Sequence, residues 1–369
     1  MRSGRSLRKR SKAASRAILA LGCFALSAGG AEAGSTDCSA ELAAEWQVRL
    51  DRDQPLIDGA INGQPVSVKL DTGATRTLLF RSAAERLGLA LHRTRARMFG
   101  VGGEANLEIA SVNEFKIGAT TRQGSRMLVA GEHNRNDAAA VLLGYDFLRK
   151  FDVEFDLAHN VVRLYQPKEC NGALAAAWAT ESRLNEVEIE PIDEVSPQIV
   201  LTVRINGQPV QALLDSGAEV SILSKRDAAA AGVTPETPGV ALVGTIGGLG
   251  GKPVTTWIGP FRTIAIGNEL IKNAALPFAD LYRRNTYTPI GSLVPRTVDE
   301  RQLMLLGVDF LRAHRVLVAH GERKIYFTYV GGPVFQMVKA PALRDLGGNV
   351  LPNVKSNVDP AAPATEAQP

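Results

Sequence analysis

The chain contains two copies of one string. INGQPVSVKLDTGATRTLL (61–79) aligns without gaps with INGQPVQALLDSGAEVSIL (205–223), which places Asp215 144 residues after Asp71. A repeat of this length means a duplicated domain, in which each copy buries a core of its own and the two can face one another. In the first copy Val66, Val68 and Leu70 alternate with Ser67 and Lys69, the period of a half-buried strand. Asp71 follows directly, so the strand is expected to deliver a carboxylate toward the core. A charge entering low dielectric must find a partner, find hydrogen bonds, or keep its proton. Thr72 adds a hydroxyl that can bond whatever lies opposite, and Gly73 permits the turn and a close backbone approach; Ser216 and Gly217 supply the same pair in the second copy. A single Asp-Thr-Gly is adequately explained as a turn, since all three residue types favour turns. Its return inside a repeated strand marks a site.

The repeat continues outward from this string. Each Asn-Gly pair predicts a tight hairpin between strands. Ser82-Ala83-Ala84-Glu85 has the form of a capping box opening a short helix that ends at Gly88, and residues 224–232 repeat that pattern. A glycine cluster comes next in each half: Phe99-Gly100-Val101-Gly102-Gly103 in the first, Ile246-Gly247-Gly248-Leu249-Gly250-Gly251 in the second. Clustered glycines at hairpin tips suit mobile flaps that close over an extended ligand. Both halves then close with a shared block, LLGYDFL (142–148) and LLGVDFL (305–311), in which Asp146 and Asp309 are expected to cap a short helix. The second half carries about fifteen extra residues between flap and block.

Taken together these blocks resemble the retropepsin-like aspartic proteases, whose members show an apolar strand into Asp-Thr/Ser-Gly-Ala, a glycine-rich flap, and an apolar-apolar-Gly segment leading to a helix. The likeness covers roughly residues 56–167 and 198–330. It implies an all-β chain of two acid-protease barrel lobes with an active-site cleft between them, the two lobes joined in one chain as in the pepsin-like arrangement. Carried over residue by residue, it makes Asp71 and Asp215 the catalytic pair and has Thr72 and Ser216 exchanging hydroxyl bonds beneath them. Gly73 and Gly217 become the turn residues, and 99–103 and 246–251 the flaps. The first flap has Met98 and Phe99 where a pepsin-type tyrosine would stand. The implied partner is a peptide or protein substrate, no cofactor or metal is implied, and one chain supplies both aspartates, so a monomer is expected.

Composition sets the remaining expectations. Residues 1–33 combine a basic leader, an apolar run from Ala17 to Ala28 and Ala31-Glu32-Ala33, the form of a signal peptide, which predicts an exported, periplasmic or secreted protein with no membrane anchor after cleavage. Without that segment 35 basic residues face 37 acidic ones, so the chain lacks the basic excess of a nucleic-acid binder. Two cysteines remain, Cys38 and Cys170; in an exported chain they read as one disulfide pinning the N-terminus to the end of the first half, with two free thiols as the alternative. Competing chemistries are poorly supplied: there is no GxSxG, and the five histidines show no HExxH or other ligand spacing. The domain reading is a signal peptide at 1–33, an N-terminal lobe at 34–170, a linker at 171–195, a C-terminal lobe at 196–340 and a disordered tail at 341–369. The functional expectation is an exported endopeptidase in which Asp71 and Asp215 activate water. The alternative is a peptide-binding or assembly protein that keeps the fold without cutting.

Overall fold

The computed structural model describes residues 40–131, 139–169, 172–179, 183–191, 198–248, 252–281 and 303–335, together with the backbone of three short strands beyond or between these stretches. The leader, Cys38, Cys170, Leu249, Gly250 and Gly251 lie outside the described residues, as does the tail apart from one strand. Strands dominate, and the α-helices among the described residues run only four to six residues.

In the first lobe β1 (Leu42–Gln47) and β2 (Arg49–Asp51) lead into the hairpin of β3 (Gln54–Ile61) and β4 (Gln64–Leu70). Its tip is Asn62-Gly63 with φ of 49° and 77°, a turn with both central residues left-handed, and Asn206-Gly207 repeats it at 49° and 85°. Asn62 also accepts hydrogen bonds from the backbone of Asn113 and Glu114, as Asn206 does from Arg262 and Thr263, so the repeated Asn ties each hairpin to a neighbouring strand. After β5 (Leu78–Phe80) and α1 (Arg81–Arg86) come β6 (Leu91–Gly100), β7 (Gly103–Ile117) and β8 (Thr120–Ala130), then β9 (Val141–Leu143) and α2 (Tyr145–Leu148). The order β2-β3-β4-β9-β5-β8-β7-β6, with β3 also paired to β7, closes the strands into a barrel. Val68, Leu70, Val129 and Val141 fill its interior, each fully enclosed.

Past β10 (Asp152–Asp156), β11 (Val161–Tyr165), α3 (Ala173–Ala176) and β12 (Asn185–Glu188), the second lobe repeats the plan. Its strands are β13 (Val200–Ile205), β14 (Gln208–Leu214) and β15 (Leu223–Ser224); after α4 (Lys225–Ala230) come β16 (Ala241–Ile246), β17 (Val254–Ile266) and β18 (Glu269–Ala279). The extra segment contains a separate two-stranded ribbon, β19 (Asn285–Tyr287) with β20 (Arg296–Val298). The chain then forms β21 (Met304–Leu306), α5 (Val308–Ala313), β22 (His314–Ala319) and β23 (Lys324–Tyr329), and β24 (Asn357–Asp359) adds to the edge of β18.

A third sheet joins the lobes. Its order, β1-β11-β10-β22-β23-β12, takes three strands from each half, and β10 meets β22 at the centre, with Glu154 opposite Leu317. The stretch expected as a linker thus contains β12, the counterpart of β1, paired with β23. Beneath the central pair, the enclosed Glu154 carboxylate accepts from Arg163 at 2.7 Å and from Arg315 at 2.7 and 3.0 Å, one arginine from each half.

Two helix-cap expectations are corrected. α1 starts after Phe80 with no side-chain cap, whereas α4 is capped by Ser224, whose hydroxyl accepts the Asp227 N–H at 3.0 Å. The serine in register is therefore Ser224, and its repeat partner is Phe80, which has no hydroxyl; Ser82 lies inside its helix. Asp146 and Asp309 do not cap α2 and α5, whose N-caps are Gly144 and Gly307. They reach sideways to the segment that follows each Asp-Thr/Ser-Gly.

Candidate active site

Each aspartate leaves a strand that is pinned on both sides. The Asp71 N–H donates to the Leu143 carbonyl at 3.0 Å and the Asp215 N–H to Leu306 at 2.9 Å, so β9 and β21, running parallel to β4 and β14, hold the ends of the two strands. Because Leu70 and Leu214 point into their own cores, the residues after them emerge on the opposite face, toward the other lobe. The sequence expectation that Asp71 heads for the core is refined accordingly: it heads for the interface between two cores. There Asp71 is 8% exposed, and Asp215 keeps a partly open face while the protein surrounds it elsewhere.

The two carboxyl groups face one another, each seated against the glycine of the other lobe. Their approach depends on glycine. A Cβ on Gly73 would stand 2.4 Å from the Asp215 carboxyl carbon, and one on Gly217 would stand 2.3 Å from that of Asp71. Each glycine thus leaves room for the aspartate of the other lobe. The carboxylates also accept from their own turns, Asp71 from the Ala74 N–H and Asp215 from the Gly217 N–H, both at 2.9 Å.

Below the pair, the hydroxyl residues lock the lobes together. The Thr72 N–H donates to Ser216 Oγ at 3.0 Å, and the Ser216 hydroxyl donates to the Leu70 carbonyl at 3.0 Å. Reciprocally, the Ser216 N–H donates to Thr72 Oγ1 at 2.9 Å and the Thr72 hydroxyl donates to the Leu214 carbonyl at 2.6 Å. Thr72 is 1% exposed and Ser216 is fully enclosed, so all four bonds lie out of reach of water.

Asp146 and Asp309 support this floor from behind. Asp146 accepts from the Thr77 N–H and hydroxyl at 2.8 and 2.7 Å, and the Thr77 hydroxyl in turn accepts from the Gly144 N–H at 3.1 Å. Ser221, Asp309 and Gly307 repeat the arrangement. Burial pushes the Asp309 carboxyl up to about 6, and the hydrogen bonds from Ser221 work against that rise. Gly144 and Gly307 are required by contact, since a Cβ on either would meet the backbone of Arg76 or Val220 at 2.6 Å. Two further cross-lobe ties, Gln54 Nε2 to Glu219 at 2.9 Å and Gln198 Nε2 to the Gly73 carbonyl at 3.4 Å, come from glutamines at matching repeat positions. Thr77 and Ser221 stand inside the repeated string, and Gln54 and Gln198 precede it at the same offset, but nothing local reveals their partners.

The first glycine cluster forms a hairpin tip, and described residues on either side of Leu249–Gly251 touch it. Gly102 and Gly103, with φ of 87° and 112°, turn the chain between β6 and β7. The Lys252 N–H donates to the Gly102 carbonyl at 3.2 Å, and Gly248 lies against Val101 closely enough that a Cβ would be 2.5 Å from the Val101 carbonyl oxygen. Val101 and Ile246 both pack on an apolar cluster of the second lobe that includes Leu213, Ile222 and Leu305, beside Asp215. The first-lobe hairpin therefore reaches across to the second.

Burial raises the Asp215 pKa to about 7, the Asp71 charge adds to the rise, and Lys69 and the Gly217 N–H oppose it. Two carboxyls this close cannot both ionise comfortably. Such a pair can take a proton from water with its ionised member and donate a hydrogen bond with the other.

No curated protein matches the chain. A family model described as aspartyl protease matches residues 57–147 and 201–310, together more than half of the chain and one match in each lobe. With its two barrels and its paired Asp-Thr/Ser-Gly turns, the chain belongs to the retropepsin-like aspartyl proteases, two halves of that type in one polypeptide and protease-type in function.

Proposed function

We propose that this protein is an exported aspartic endopeptidase in which Asp71 and Asp215 act together on a bound peptide. The observation that supports this most directly is the reciprocal seating of each carboxyl against the other lobe's glycine, which brings two acids into contact on the cleft floor. Below about pH 7 Asp215 keeps its proton. Asp71 then withdraws a proton from a water molecule as that water attacks the scissile carbonyl carbon, and Asp215 donates its proton toward the carbonyl oxygen. In the tetrahedral intermediate the proton taken by Asp71 passes to the amide nitrogen, the C–N bond breaks, and Asp215 recovers its proton as the carbonyl re-forms. Thr72, Ser216, Gly73 and Gly217 hold the geometry, and the flap tips at Gly100–Gly103 and Ile246–Gly248 cover the peptide. One chain supplies the whole site, so a monomer suffices, and the leader at 1–33 supports export.

The test is hydrolysis of an unfolded protein substrate between about pH 3 and pH 7 by the chain and by Asp71→Asn and Asp215→Asn. Cleavage by the unaltered chain and its loss in both variants is the expected result. Equal activity in all three, or peptide binding without turnover at any pH, rejects the reading.

A further inference from the structure

The two lobes match at the floor of the cleft and differ in charge at one wall position. On β4, Val68 and Leu70 are fully enclosed in the first-lobe core, so Lys69 projects from the opposite face, the face from which Asp71 emerges two residues later. Its cross-strand neighbours are Leu56 on β3 and Leu142 on β9. The second lobe has the same register: Val200 on β13 and Leu305 on β21 flank Leu213. Those three residues belong to the apolar wall on which Val101 and Ile246 rest. Lys69 thus stands where the other lobe has a leucine. It is partly exposed, and no carboxylate among the described residues forms an ion pair with it. Its charge works against the rise of the Asp215 pKa. The flap strands differ in the same sense: β6 carries Arg93, Arg95 and Arg97 exposed, with Arg97 paired to Glu104, whereas β16 has no charged side chain.

We propose that Lys69 makes the first-lobe wall of the cleft a subsite for an acidic side chain, so that the peptide presents Asp or Glu to the first lobe and an apolar side chain to Leu213. The inference rests on peptide occupancy of the cleft as proposed above. An ammonium group covered by a bound peptide loses water and needs a new partner; a carboxylate supplies it, an apolar side chain leaves it unmet, and a basic one repels it. The long lysine stem can follow a carboxylate of either length.

The test uses peptides whose central amide is reduced and cannot be cut, with Glu or Leu placed in turn at each of three residues on either side. Calorimetric titration of the full chain should show one position where Glu is favoured over Leu about 10- to 100-fold, the range of one charge-assisted hydrogen bond. Lys69→Leu, which installs the residue of the other lobe, should reverse that preference, and Lys69→Glu should favour a lysine peptide at the same position. Lys69→Gln, which keeps a polar side chain of similar length, should abolish the preference without reversing it. Absence of a Glu preference at every position, or a preference that survives Lys69→Leu, overturns the inference. Ordinary peptides of the same sequences are assayed for cleavage in parallel. Lysine-dependent selective binding without turnover would reject the protease reading and leave this inference standing.

Discussion

Replacing Asp215 with Asn should make the folded chain more resistant to denaturation at neutral pH while removing peptide cleavage. Burial and the neighbouring Asp71 charge raise the folded pKa of Asp215 to about 7, against 3.8 for an ordinary aspartate. A carboxyl with a raised folded pKa keeps a proton that the unfolded chain has already released. Its favourable contribution is complete below about pH 4, declines as pH rises toward 7, and is gone above that. The full shift corresponds to a ceiling of about 4 kcal/mol, and solvent reaching Asp215 from the cleft lowers the expected effect to about 2–4 kcal/mol. Asparagine imitates the protonated acid: its Oδ1 can accept the Gly217 N–H now held at 2.9 Å, and its amide can donate to Asp71. Urea unfolding of the chain and of Asp215→Asn at several pH values between about 4 and 8 provides the assay. The stability difference should be near zero at the acid end, favour the variant increasingly up to about pH 7, and then level off. Parallel stability curves, or a variant less stable at pH 7, would refute the coupled, desolvated pair.

Three other perturbations test separate parts of the site. Ser216→Ala leaves the buried Thr72 N–H and Leu70 carbonyl without partners and should cost about 2–4 kcal/mol in urea unfolding; a loss under about 0.5 kcal/mol would mean water replaces the hydroxyl. Gly217→Ala places a Cβ 2.3 Å from the Asp71 carboxyl carbon and should lower kcat about 100-fold or more, because the acids must separate; near-normal kcat on a peptide substrate would show that the turn yields instead. Glu154→Ala strips the enclosed partner from Arg163 and Arg315, leaving Arg163 with Glu45 at 2.7 Å and Asp156 at 3.6 Å and Arg315 with Asp156 at 3.9 Å, and should cost about 2–4 kcal/mol by calorimetry, whereas a change under about 1 kcal/mol would assign the joining of the lobes to the strand pairing alone.

What could be read from the sequence was whatever the duplication wrote as a string. The Asp-Thr/Ser-Gly turns, the Asn-Gly hairpins and the glycine tips each occupy a few consecutive residues whose local conformation is dictated by their own chemistry, and each occurs twice. The strand β12 went unread because Asn-Glu-Val-Glu has a single apolar side chain; its order comes from β23, about 140 residues away. Asp146 and Asp309 looked like helix caps because they stand in a first helical turn, yet their partners Thr77 and Ser221 lie 69 and 88 residues earlier. The face occupied by Lys69 followed from period-two alternation with Val68 and Leu70, but whether that face meets solvent or a second lobe depends on barrel closure, which no local pattern encodes.

Joining two such lobes in one chain separates constraints that a symmetric dimer would impose on a single residue. Thr72 and Ser216 are bound to agree, since each hydroxyl satisfies the opposing backbone and a mismatch strands buried donors and acceptors on both sides. The same holds for Gly73 and Gly217, each of which makes room for the other lobe's carboxyl. The wall positions 69 and 213 have no such reciprocal debt, because they front the cleft and not each other's backbone. In a homodimer a lysine there would appear twice, and two cations beside the aspartates would favour ionising both and lose the shared proton that general acid–base chemistry requires. A single chain can carry the lysine once, so the cleft gains a charged wall on one side while burial still outweighs Lys69 and keeps the Asp215 pKa high.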